Sequence, residues 1–193
     1  MPRRPAPALP GWLALTIALT IGGLSPSHAN PSLTGQPQVW APPLTSGFTG
    51  LQLGFERPHN RFAAGHRGVD LTAPVGTPVY AIGPGVITFA GDVARVPIIT
   101  ITHDRTHDRT HDRTLTTTVR STYLPVDSLV RVGDEVVTGQ RIGEVSARGK
   151  HCPVSCLHLG LRQTPWQLPD ATTDPYLDPI AWIQRIPVLK PER

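Results

Sequence analysis

His66 and Asp70 stand in Gly65-His66-Arg67-Gly68-Val69-Asp70-Leu71, and His158 stands far downstream in Cys156-Leu157-His158-Leu159-Gly160. Two imidazole nitrogens and a carboxylate oxygen are donors that zinc accepts, and a three-ligand site leaves a fourth position open for water. Zinc held that way acidifies its water and polarises a carbonyl, which is hydrolytic chemistry. A His-x-x-x-Asp spacing is common, so its weight depends on the segments that would position it.

Those segments read as short strands. Val69 and Leu71 flank Asp70, which places Asp70 on the face opposite two apolar residues. Pro58 to Gly65 is polar and irregular and delivers His66 from a loop. Leu51, Leu53 and Phe55 alternate as in a strand with one buried face. Val79 to Ile82 and Val86 to Ala90 read as two strands around the turn Gly83-Pro84-Gly85. Val96 to Thr102 is rich in β-branched residues, and Leu115 to Tyr123 is a Thr-rich strand. Val130 to Ile142, with Gly133 and Gly139, reads as a hairpin-like pair. Pro179 to Ile186 is the one short helix expected, with Asp178 as N-cap and Pro179 at the first helical position. Short strands with frequent turn signals give an all-β domain. The 22 prolines and 18 glycines of the 193-residue chain agree with many turns and few long helices.

Residues 1–29 read as a secretory signal, with Arg3 and Arg4 at its start, an apolar run from Trp12 to Leu24, and Ser27-His28-Ala29 before the cut. The expected location is secreted or in the cell envelope, with membrane contact only through that signal. Residues 30–43 form a Pro- and Ser-rich lead-in, and 44–186 the domain. The formal charge of +4 falls to +2 without Arg3 and Arg4, which is no argument for a nucleic-acid partner. Cys152 and Cys156 are the only cysteines; an even count in a secreted chain favours a disulfide closing a very short loop. The alternative is Cys156 as a zinc thiolate, since it shares a strand face with His158. A tandem unit, Thr102-His103-Asp104-Arg105, recurs at Thr106 and Thr110. On a helix His103, His107 and His111 would form a metal-binding stripe; the reading preferred is an expanded surface loop over 103–114.

The succession Gly65 to Leu71, Pro74-Val75-Gly76-Thr77-Pro78-Val79-Tyr80-Ala81, Gly85-Val86-Ile87 and Val132-Gly133-Asp134-Glu135 to Gly143 resembles the lysostaphin-type (LytM-domain) zinc metallopeptidases of peptidoglycan. The His-Cys…Cys-Leu-His segment and the closing Tyr-Leu-Asp-Pro are similar to a secreted actinobacterial branch. The resemblance implies a mostly antiparallel, sheet or barrel-like LytM fold (a duplicated hybrid motif) over a metal groove. It implies His66, Asp70 and His158 as zinc ligands and peptidoglycan peptides as substrate. It also implies two catalytic histidines where this chain has Tyr123 and Cys156. A disulfide-bonded Cys156 cannot handle a proton, and Tyr123 could only donate a hydrogen bond to an oxyanion. Glu56, Glu144 and His151 are the other candidate bases, and Arg67 could steer acidic wall peptides. Two rival readings follow: an inactive LytM module that binds peptidoglycan or regulates a cell-wall hydrolase, and a purely structural zinc or disulfide domain.

Overall fold

A computed structural model describes residues 39–60, 62–103, 118–149, 151–164 and 176–184. The expected signal segment and the second and third repeat units, with His107 and His111, lie outside the described residues. Among the described residues, eleven strands and one helix follow in chain order: β1 (Leu51–Leu53), β2 (Gly68–Thr72), β3 (Pro78–Tyr80), β4 (Gly85–Val93), β5 (Val96–His103), β6 (Thr118–Leu124), β7 (Val126–Ser128), β8 (Glu135–Val136), β9 (Arg141–Val145), β10 (Cys156–Thr164), β11 (Tyr176–Leu177) and α1 (Pro179–Gln184). Every strand pair is antiparallel. The large sheet runs β1-β2-β10-β6-β5-β4-β8, with β11 also on β10, and the small sheet runs β3-β9-β7. The large sheet is open at β1 and β8, so the barrel-like expectation gives way to two sheets with no closed barrel.

The core follows from period-two alternation. In β5 Ile99, Ile101 and His103 are buried, in β6 Val119, Ser121 and Tyr123, and in β10 Leu157, Leu159 and Leu161. The small sheet adds Val79, Val126, Ile142 and Val145 to the same cluster. Burying each such aliphatic side chain contributes roughly 1.5–3 kcal/mol.

Three local expectations change. Leu51 and Leu53 are about half exposed, because β1 is an edge strand whose register slips between them. β3 and β4 do not pair around the Gly83–Gly85 turn: β3 joins β9, and β4 joins β5 and β8. β8 and β9 also separate, each pairing with a different sheet, so no hairpin forms there.

His103 ends β5 inside the core, with no exposed surface. Its Nδ1 lies 2.8 Å from Pro84 O and its Nε2 2.7 Å from Ser121 Oγ. Tyr123 OH lies 3.1 Å from Ser121 Oγ and accepts from Ile82 N–H at 3.0 Å. A carbonyl only accepts, so Nδ1 carries the proton. Ser121 Oγ, within hydrogen-bond reach of both His103 Nε2 and Tyr123 OH, links the two buried groups.

α1 starts where the cap was expected: Asp178 Oδ1 accepts from Ile180 N–H at 3.0 Å and from Ala181 N–H at 3.4 Å. Residues ahead of position 44 also join the domain. Ala41 N–H donates to Ile82 O, and the Trp40 ring packs against His103 and Trp182. No helix among the described residues is long and apolar enough to cross a membrane.

Candidate metal centre

Register builds the site. β2 and β10 pair Asp70 with His158 and Gly68 with Gly160, while Leu71 meets Leu157 and Val69 meets Leu159. Alternate residues share a face. The leucines therefore point into the core, and Asp70 and His158 point together out of the other side. His158 Nδ1 lies 2.7 Å from Asp70 Oδ1. Gly68 makes room for the ring: a Cβ there would stand 2.7 Å from His158 Nε2 and 2.4 Å from Leu159 O.

His66 arrives from the loop, as expected, and is fixed at its backbone. His66 N–H donates to Glu56 O and Glu56 N–H to His66 O, at 2.9 and 3.0 Å. Its Nδ1 lies 2.7 Å from Gly54 O. That carbonyl requires the proton on Nδ1, leaving the Nε2 lone pair free, the arrangement that orients a metal-ligating histidine. Nε2 points to Asp70 Oδ1 at 3.2 Å and to His158 Nδ1 at 3.2 Å.

A fourth side chain converges. His151 Nε2 lies 3.3 Å from Asp70 Oδ1, and its ring centroid stands 4.6 Å from that of His158. One donor atom from each of His66, Asp70, His151 and His158 lies within 4.8 Å of all the others. With zinc–ligand bonds of about 2.0–2.1 Å, the edge of a tetrahedral shell is about 3.3 Å. Three of the measured separations, 3.2, 3.2 and 3.3 Å, have that length. The fourth, 2.7 Å, is a hydrogen-bond contact between His158 and Asp70. The donor types and spacings fit a zinc-sized cation.

Electrostatics agree. Burial pushes the Asp70 carboxyl up, but the hydrogen bond from His158 and the His158, His66 and His151 charges outweigh it, and its pKa stays below the usual value. Burial and the neighbouring His158 charge push His151 down, and Asp70 opposes this only in part. Asp70 is thus favoured in the carboxylate form, the form that a metal binds.

Cys152 and Cys156 form a disulfide, which removes Cys156 as a thiolate ligand and as a proton carrier. Tyr123 pairs with Leu159 in the β6–β10 register and shares its core-facing side. Its hydroxyl is fully buried, and burial pushes its pKa up. It therefore faces away from His158 and cannot donate to an oxyanion held there. Of the candidate bases, Glu56 is exposed, and Glu144 pairs with Arg141 in the small sheet. Only His151 reaches the cluster. Arg67 turns to Ala63 O at 3.3 Å and to the Tyr176 ring. The Val119-Ser121-Tyr123 alternation is the signal for Tyr123 in the core, and the position directly before the cysteine pair is the local signal for His151.

A family model described as Peptidase family M23 matches residues 64–171, more than half of the chain and all four converging residues. The chain belongs to peptidase family M23. This M23 chain is 31% identical over 179 residues to an uncharacterised protein of Mycobacterium tuberculosis H37Rv. That alignment covers 92% of the chain and 62% of the relative, so the chain spans about three-fifths of the length of the curated relatives it matches. Lysostaphin from Staphylococcus simulans is similar in fold, with a TM-score of 0.50 and 23% identity over 74% of this chain and 53% of that one. LytU is similar too, with a TM-score of 0.50 and 22% identity over 71% of this chain and 86% of that one. The M23 fold is thus the LytM-type arrangement that the motifs implied.

Proposed function

We propose that the protein is an exported, zinc-dependent endopeptidase of peptidoglycan peptides. The observation that carries this reading is the convergence of His66 Nε2, Asp70 Oδ1 and His158 Nδ1 in an M23 domain. Those three residues would hold the metal. When bound, zinc supplies Lewis acidity toward a carbonyl and activates water. The protein's own part is orientation. Gly54 O fixes the His66 ring, the β2–β10 pairing sets Asp70 opposite His158, and Gly68 leaves space for the His158 ring. Export is supported by the charge and hydropathy pattern of residues 1–29.

A second reading has its own support. Cys156 is locked in a disulfide and Tyr123 faces the core, so neither position handles protons. This favours a module that binds wall peptide, or a cell-wall hydrolase, without cutting.

One assay separates the two. Zinc-loaded protein is incubated with purified sacculi, and new amines are counted with and without chelator, beside Asp70→Asn. Amines that disappear with chelator and with the substitution support the endopeptidase. Sedimentation with sacculi of several cross-bridge types, without release of amines, overturns it in favour of the binding module.

A further inference from the structure

The geometry points to His151 as a fourth protein ligand of the metal centre, held in place by the Cys152–Cys156 disulfide. The inference rests on the metal-binding part of the reading above and assigns the coordination position that a three-ligand site would leave to water.

Placement carries the assignment. His151 Nε2 stands 3.3 Å from Asp70 Oδ1, nearly the 3.2 Å of His66 Nε2 from the same oxygen. A base acting through a held water would stand a further hydrogen bond outward, about 2.6–3.2 Å beyond the shell. His151 instead keeps the edge length of the shell, and its donor falls within 4.8 Å of the other three.

The loop is built to hold it there. Cys152 follows His151 directly, and its bond to Cys156 fastens the loop to the start of β10, two residues before His158. Ser155 pins the same loop to the end of β2: its hydroxyl donates to Ala73 O at 2.7 Å, and its carbonyl accepts from Ala73 N–H at 3.2 Å. The Gln52 amide donates to that carbonyl at 3.3 Å. His151 is thereby tied to both strands that carry Asp70 and His158. Its side chain keeps about a third of its surface exposed, so the ring can leave without unpacking the core.

Four protein ligands close a zinc site, whereas hydrolysis needs an open or expandable one. His151 is therefore a displaceable ligand: seated, it closes the site; swung out, it stands beside the vacated corner.

The test loads the full chain with cobalt(II) and follows its visible spectrum, and measures zinc affinity by competition with a chromophoric chelator. His151→Ala is expected to convert the intense four-coordinate bands to weaker ones as solvent enters. It is also expected to lower zinc affinity by about 100-fold or more, since even outer partners of a ligand cost about 10–100-fold. Cys152→Ser with Cys156→Ser is expected to lose part of that affinity. In this bridge-free background His151→Ala should then add less than it does alone, because the two act as a unit. An unchanged spectrum and affinity in His151→Ala, with binding abolished in His66→Ala, would overturn the inference and leave the three-ligand reading standing. Failure of the native chain to bind either metal would overturn both. Fully additive losses would overturn the tethering role of the disulfide.

Discussion

Asp70 and His158 lie directly opposite one another in the β2–β10 register, with His158 Nδ1 2.7 Å from Asp70 Oδ1. Residues 88 positions apart in sequence are thus one step apart on a sheet face. The candidate metal centre draws Asp70 and His158 from two adjacent strands, and His66 and His151 from loops.

Zinc should stabilise the fold, because a preformed donor set exists in the folded chain alone. At about 100 times the dissociation constant the gain is about 2.7 kcal/mol. Thermal melts with added zinc and with chelator check this. Asp70→Asn and His158→Ala should each abolish the zinc-dependent rise in Tm.

Gly68→Ala should damage the site through packing. Its new Cβ would meet Leu159 O at 2.4 Å and the His158 ring at 2.7 Å, and a backbone oxygen in a central sheet has little room to yield. Overpacking of this kind costs about 1–3 kcal/mol. The expected outcome is a lowered Tm together with weakened zinc binding, whereas Gly76→Ala, whose Cβ meets nothing but whose φ of 83° strains a side chain, should lower Tm and leave zinc binding intact.

Tyr123 makes the fold sensitive to alkali. Burial raises its pKa above the ordinary value of 10.0, and hydrogen bonds from Ser121 and Ile82 offset this only in part. Above about pH 10 the unfolded chain releases a proton that the folded chain keeps, so stability is full below that pH and falls as pH rises. Tyr123→Phe should flatten this decline in denaturant melts between pH 9 and 11, taken as about one unit either side of the tyrosine value. At neutral pH the same change should cost about 1–3 kcal/mol, because the Ile82 N–H loses its acceptor.

The β4–β5 hairpin carries strain that substitution should relieve. Ala94 and Arg95 join Val93 to Val96 with φ of 50° and 69°, left-handed values for two side-chain-bearing residues. Two-residue hairpin loops of this kind favour Asn-Gly. Ala94→Asn with Arg95→Gly should raise stability by about 1 kcal/mol, within the cost of the left-handed conformation. Urea melts at neutral pH check it; an unchanged or lowered midpoint would contradict it.

Periodicity and residue type determine much of the local structure of this protein. Val69 and Leu71 around Asp70 announced a strand with a polar face, Asp178-Pro179 announced a capped helix, and the cysteine pair announced a disulfide. The motif succession from Gly65 to Gly143 carried the family. These are local signals, because alternation, capping and short ring closure depend on neighbours in the chain. Which strands pair was not local. β3 left β4 for β9, and Leu51 and Leu53 came out exposed on an edge strand, because strand pairing joins segments distant in sequence. Tyr123 occupies a motif position associated with catalysis, yet its face was decided by the β6–β10 register, where it meets Leu159. A one-residue difference in register would have turned it toward His158. His103 likewise belongs to a repeat by sequence and to the core by structure, because the alternation of β5 turns it inward, where it meets Ser121. His151 was one candidate among three until the disulfide and Ser155 seated its loop against both site strands. Residue chemistry was written along the chain; which side chains share a space was settled only when strands far apart in sequence came into register.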